Sequence, residues 1–180
     1  MRHFVYYPKI EYSNNLAVNI TVRARIREAV MSNAGLYYKY TIEDGERFDI
    51  ISHKYYGNSD YVWAIFYANN IIDPVADTPK SHNEFIAYIK AKYGNIQSPS
   101  QTTHHYEYID TFSKKTYIID EATYYNYLGQ YEPYSDSLRT VRIVSQYDYE
   151  FELNESKRNI VVLDKQYLGS ITNELENIFV

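Results

Sequence analysis

The chain has 180 residues, a net charge of −5, 45% hydrophobic and 23% charged residues, and no cysteine. That size and balance describe a globular chain of one compact domain or two small modules, not a disordered one. The acidic balance gains nothing from counterion release on a phosphate backbone and excludes nucleic acid as an expected partner; the missing cysteines exclude disulfides, zinc–thiolate sites and cysteine nucleophiles.

The opening residues Met1 to Pro8 contain no apolar core of a signal peptide. No run approaches the roughly 18 apolar residues of a membrane span, so neither export by a signal peptide nor a membrane segment is expected. Around Pro8 and Tyr12 the chain reads as an extended arm. Val22, Ile26, Ala29 and Val30 then fall near helical spacing, and Gly35 is a plausible stop. The basic cluster Arg23, Arg25 and Arg27 on this helix reads as a solvated face.

Leu36 to Ile42 is a tyrosine-rich strand ending at Glu43-Asp44-Gly45, a strong turn signal. Phe48, Ile51 and Tyr55 put one helical face inward, and Gly57-Asn58-Ser59 breaks that helix. A second helix follows with Val62, Ile65 and Phe66 apolar, Asp60 near its positive end, and Asn69-Asn70 and Asp73-Pro74 at its exit. A third, from about Ser81 to Tyr93, carries Phe85, Ile86 and Ile89 on one face. Gly94 to Thr103, poor in apolar residues and rich in turn formers, reads as a linker.

Beyond it, His105–Ile109 and Thr116–Ile119 predict a hairpin across Phe112 to Lys115, a turn without glycine. Glu121 to Tyr134 fits either a short helix or a loop. Leu138 to Val144 reads as a half-buried strand with Val141 and Ile143 inward. Tyr147 to Arg158 is helical in pattern, Asn159 to Leu163 is β-branched, and Asp164 can cap a last helix. There Leu168, Ile171, Leu175 and Ile178 form a stripe that Phe179 extends. We read this stripe as a partner-docking helix, removable without cost to the fold of the strand–helix–helix unit. The expected class is α+β, divided into 1–36 (arm and helix), 37–93 (strand, two helices and the following helix), 94–103 (linker) and 104–180 (a hairpin-plus-helices module).

Tyrosine stands out, with 23 copies against 7 phenylalanines and 1 tryptophan. Its apolar ring and wet hydroxyl suit a surface exposed before assembly and buried afterwards. Neighbours such as Tyr37-Tyr38, Tyr55-Tyr56 and Tyr124-Tyr125 cannot easily both face one core from a regular element.

No reaction centre emerges. There is no G-x-S-x-G, no HExxH, no carboxylate-rich calcium loop and no glycine-rich phosphate loop. His53 is expected at a helix edge. His104 and His105, as strand neighbours, are expected to point to opposite faces and not to share an ion. Asp148 and Glu152 at i, i+4 read as a solvated helix face. No catalytic residue, metal ligand or cofactor is assigned.

Tyr40-Thr41-Ile42-Glu43-Asp44-Gly45, Phe48-Asp49-Ile50-Ile51, Tyr55-Tyr56-Gly57, Trp63-Ala64-Ile65 and Asn69-Asn70-Ile71-Ile72-Asp73-Pro74 together resemble a LysM module in order and spacing. Arg47 stands where that family has a capping threonine. The second strand, G-x-x-L-x-I-P in the family, is not found after Pro74, where Thr78-Pro79 and a helix follow. The resemblance implies a binding groove between Glu43, Asp44, Gly45 and Glu46 on one loop and Asn70, Ile71, Ile72, Asp73 and Pro74 on the other.

With Tyr7-Pro8, Ile10-Glu11-Tyr12 and the distal Asn154-Glu155-x-Lys157-Arg158, the chain also resembles the LysM-containing baseplate wedge proteins of contractile-tailed bacteriophages. That resemblance implies a non-enzymatic virion component, assembled in the host cytoplasm, whose partners are other wedge and tail subunits. The alternative is a module binding peptidoglycan or another cell-wall glycan; a wall hydrolase anchored by a LysM module is a third.

Overall fold

The computed structural model describes residues 7–19, 35–110, 112–129 and 139–178. The helix predicted over Val22 to Met31 with its arginines lies outside them, as do Phe179 and residues 130–138. The fold is α+β. It divides into two compact units, one made of Met1–Pro79 with Lys157–Val180 and the other of Lys80–Ser156.

In the first unit Lys9–Tyr12 (β1) and Asn15–Val18 (β2) pair antiparallel, with Tyr12 opposite Asn15. The predicted arm is therefore a hairpin. Ser13 (φ 49°) and Asn14 (φ 62°) both take the left-handed conformation that a tight two-residue turn needs.

Tyr37–Thr41 (β3) pairs antiparallel with Asn159–Leu163 (β7), Tyr37 facing Leu163 and Thr41 facing Asn159. Between them in sequence come helices Phe48–Tyr56 (α1) and Val62–Ala68 (α2). A second strand thus exists, but it comes from the distal part of the chain, after the whole second unit has been inserted. Ile160 and Val162 point inward by strand alternation and meet Ile51, Trp63, Ala64 and Ile65 in one buried cluster.

Local chemistry shapes each end. Gly57 closes α1 at φ 78° and donates to the carbonyl of His53. Asn58, rather than Asp60, starts the next turn, its side chain accepting from the Asp60 amide at 2.9 Å. Arg47 gives α1 no side-chain cap and pairs with Asp49 instead.

In the second unit His82–Tyr93 (α3) begins with a capping box between Ser81 and Glu84. The predicted linker carries a short helix, Gln97–Gln101 (α4), with Pro99 buried. Its polar residues satisfy helical backbone: Asn95 accepts from the Ser98 amide at 2.7 Å, and the Ser100 and Thr102 hydroxyls donate to Ile96 and Ser98 carbonyls. The chain accordingly separates at Pro79/Lys80 and Ser156/Lys157, not at 94–103, and both predicted modules flanking the linker are divided between units.

Thr103–Asp110 (β4), Lys115–Ile119 (β5) and Arg139–Ser145 (β6) form an antiparallel sheet with β4 in the middle. The glycine-free turn works because Lys114 adopts φ 53° and Asp110 accepts from the Phe112 and Ser113 amides. Glu121–Gly129 (α5) meets Tyr106 and Tyr108 through Tyr124 and Tyr127. Gln146–Ser156 (α6) meets the opposite face through His105 and Arg142. On β6 it is Val144 that is buried, while Ile143, predicted inward, is exposed; α6 follows β6 directly and covers the Val144 side. Asn154 accepts from the Lys80 amide at 2.7 Å and donates to the Lys80 carbonyl at 3.1 Å, holding the two ends of the inserted unit together. Among the described residues no helix is long and apolar enough to cross a membrane.

Candidate docking surface

The Glu43–Glu46 loop turns on Gly45 at φ 74°. Glu46 faces back into the loop, accepting from the Glu43 amide at 3.2 Å and from the Tyr40 hydroxyl at 2.8 Å. The second loop leaves α2 through Asn70, at φ 52°. It is tied by Asp77, whose Oδ2 accepts from the Ile72 and Asp73 amides at 2.8 and 2.9 Å. Hydrogen bonds from backbone amides hold the Asp77 carboxyl below its ordinary range.

Both loops are then tied to adjacent residues at the start of β7. Arg158 donates to Asp44 Oδ1 at 3.0 Å and to the Glu43 carbonyl, and Lys157 Nζ donates to the Ala76 carbonyl at 2.7 Å. Of the residues predicted to line a groove, Glu43 and Asp44 are thus engaged with the returning chain. Glu46 and Asp44 already have protein partners, and the second loop leaves both apolar and polar residues in solvent: Ile72 is exposed and Val75 is 80% exposed, as are Asn70 and Asp73.

The hairpin is the more open surface. Every residue of β1 and β2 is exposed, including Ile10, Tyr12 (72%), Leu16 (71%) and Val18. By the pairing register Ile10 and Tyr12 lie on one face, Leu16 and Val18 on the other. No family model matches this chain, and no curated protein is similar to it. The neighbouring Tyr7 is buried against α2, its hydroxyl hydrogen-bonded to that of Tyr67. The hairpin thus springs from an anchored base.

The last helix, Leu168–Ile178 (α7), forms where the stripe predicts it, after Asp164 accepts from the Gln166 amide. Its predicted role needs correction at one position. Leu168 is 5% exposed within the core of the first unit, where a partner cannot also cover it, while Ile171 packs against that core and is only partly buried. Leu175 and Ile178 lie on the same helix, and Phe179 is outside the described residues.

The tyrosine pairs divide as strand and helix geometry requires. Tyr56 and Tyr124 are buried while Tyr38 and Tyr125 are exposed. Burial pushes the Tyr56 hydroxyl far above its ordinary range, and it donates to the Leu163 carbonyl at 3.1 Å.

The remaining candidates have structural partners. His53 is exposed on α1. Asp148 exchanges hydrogen bonds with Ser145 at the start of α6, while Glu152 pairs with Arg142. Two buried carboxylates escaped sequence reading because nothing marks them there. Glu150 accepts from Tyr88, Lys92 and Tyr93. Burial pushes its carboxyl up, but those hydrogen bonds outweigh it and leave the group below its ordinary range. Glu107 is likewise pushed up by burial and drawn further down by hydrogen bonds from His105 and Arg142. Finally, His104 and His105 do not point apart. A bulge in the β4–β6 register between Thr103 and His105 brings both rings beside Tyr149, with the two Nδ1 atoms 2.7 Å apart.

Proposed function

We propose that this chain is a structural subunit of a contractile-phage tail baseplate wedge that joins neighbouring wedge and tail subunits through protein contacts. It would be assembled in the host cytoplasm and carried in the virion. The observation that carries this reading is the β1–β2 hairpin. A lone two-stranded hairpin is marginal in water, and apolar side chains exposed on both its faces gain most when another protein covers them. Among the described residues no further strand pairs with its two outer edges, the kind of edge to which a partner strand can add. The order strand, helix, helix, strand in the first unit supports the resemblance to a LysM module.

The glycan reading is supported less well. The loops that would hold a sugar are tied to Lys157 and Arg158, and Asp44 and Glu46 already have partners within the chain. Sedimentation with insoluble peptidoglycan distinguishes the two. Subunit joining predicts no retention in the pellet; retention that Asp44→Ala or Asn70→Ala weakens would establish glycan binding instead.

A further inference from the structure

We propose that the outer edge of β5 is a self-association surface, at which two copies of this chain pair strand to strand across a two-fold axis and join their sheets into one. The surface lies in the second unit and is independent of the hairpin. β4 holds the middle of its sheet, and among the described residues no strand pairs with the outer side of β5. Edges of this kind are usually guarded by bulges, prolines or inward charges. Here the register with β4 runs unbroken from Lys115 to Ile119, without a proline. The centre of the strand is aromatic and β-branched, a composition that favours pairing. Tyr117 is 47% and Ile118 75% exposed, so neither α5 nor α6 covers them.

Charge identifies the occupant as a second copy. Lys114 and Lys115 open the strand and Asp120 and Glu121 follow it, all four exposed. None of the four makes an ion pair among the described residues. Antiparallel pairing of two such strands lays the basic end of each beside the acidic end of the other, at both ends at once. The other edge strand, β6, carries Arg139 and Arg142 and no acid, so two copies of it would not match in this way.

Side-chain alternation selects the register. A two-fold axis perpendicular to the sheet keeps the α5 faces of both copies on one side, so each residue meets one from its own face. Tyr117 lies on the α5 face, beside Tyr108, whose ring stacks on Tyr127. Ile118, opposite Glu107, lies on the other. With Ile118 at the axis it meets its own counterpart, Tyr117 meets Ile119, and Lys115 comes beside Glu121. These are the aromatic–β-branched and opposite-charge pairs that stabilise a ladder. With Tyr117 at the axis, Lys115 would face Ile119 and gain no partner there. One strand pair of this length buries less than roughly 1,200 Å² in all, the low end of specific interfaces. The single chain is therefore the dilute form, with a dissociation constant of roughly 0.1 mM. Copies held near one another in a larger assembly pair more readily.

The test is sedimentation equilibrium of the full chain from micromolar to millimolar concentration. A monomer–dimer equilibrium with nothing larger is expected, because a two-fold contact closes on itself. Ile118→Lys sets two like charges at the axis and should weaken the dimer roughly tenfold or more. Lys115→Glu and Glu121→Lys should each weaken it too. Mixed in equal amounts, these two variants should pair again about as well as the unaltered chain, since each supplies the charge the other lacks. Damage to either fold would not be repaired by mixing, and circular dichroism of each variant checks that the fold is kept. A chain that stays monomeric to millimolar concentration would overturn the proposal and leave the edge to a strand of another protein. So would a dimer indifferent to Ile118→Lys, charge variants that mixing does not restore, or species that grow beyond the dimer.

Discussion

The side-chain amide of Asn69 and the backbone of Val161 hold each other by two hydrogen bonds across 92 residues of sequence. Nδ2 donates to the Val161 carbonyl at 2.7 Å, and the Val161 amide donates to Oδ1 at 2.8 Å. β3 lies on one side of β7, and this amide does on the other what a further strand would do. Nδ2 also donates to the Ile65 carbonyl at 2.8 Å, so the same residue closes α2. Asn69→Ala leaves the Val161 groups without these partners and should cost the first unit roughly 1–3 kcal/mol. Asn69→Asp should cost at least as much, because a carboxylate then faces two carbonyls. Trp63, the single tryptophan and buried in this unit, reports either loss by fluorescence during denaturant unfolding.

Leu168 gives a second, larger effect. Leu168→Ala removes a side chain 5% exposed and should cost about 2–5 kcal/mol, the range for a large-to-small change in a core. Ending the chain after Tyr167 should be at least as damaging. Trp63 fluorescence should show an earlier transition in both cases. An unchanged midpoint would place α7 outside the folding unit, as its sequence alone suggests.

Glu150, like Glu107, should make the second unit sensitive to acid. Its carboxyl is held below the ordinary range in the folded state. The unfolded chain therefore binds the proton more readily as pH falls, and stability drops. The contribution is present above the unfolded value of about 4.3 and fades as pH falls through the depressed folded value. Glu150→Gln should cost roughly 1–3 kcal/mol at neutral pH and flatten the acid limb. Tyrosine near-ultraviolet dichroism, followed against pH for both proteins, checks this.

How much of this was legible follows from what kind of signal each feature leaves. The strand before Asp44-Gly45, helices α1, α2 and α3, and α7 all show as periodicity or as turn signals at their ends. Pairing partners do not. Asn159–Leu163 reads as a strand, but nothing in its β-branched run says that it belongs beside Tyr37–Thr41 across an inserted unit. Asn69 and Asn154 look like ordinary turn formers, although each closes a reciprocal pair with distant backbone. The Ser13-Asn14 turn lacks the glycine that would have announced it. The bulge at His104 leaves no mark at all, which is why the histidine pair was expected to diverge. Burial of Leu168 escaped for a related reason, since an apolar stripe looks the same whether it faces its own core or a partner.

The hairpin separates docking from folding. Tyr12→Ser with Leu16→Ser alters two exposed side chains, so the Trp63 unfolding midpoint should move by no more than about 0.5 kcal/mol equivalent. Any assembly that depends on this surface should be lost all the same. A large shift in the midpoint would instead make the hairpin part of the first unit's fold.

Subunit joining is tested most directly by co-expressing the chain with the neighbouring tail proteins of its phage and measuring complex mass by size exclusion with light scattering. The account predicts a stable mixed complex with the unaltered chain and a free, folded monomer with the Tyr12→Ser, Leu16→Ser variant. A chain that stays monomeric beside every tail subunit, or a complex indifferent to the hairpin, would contradict it.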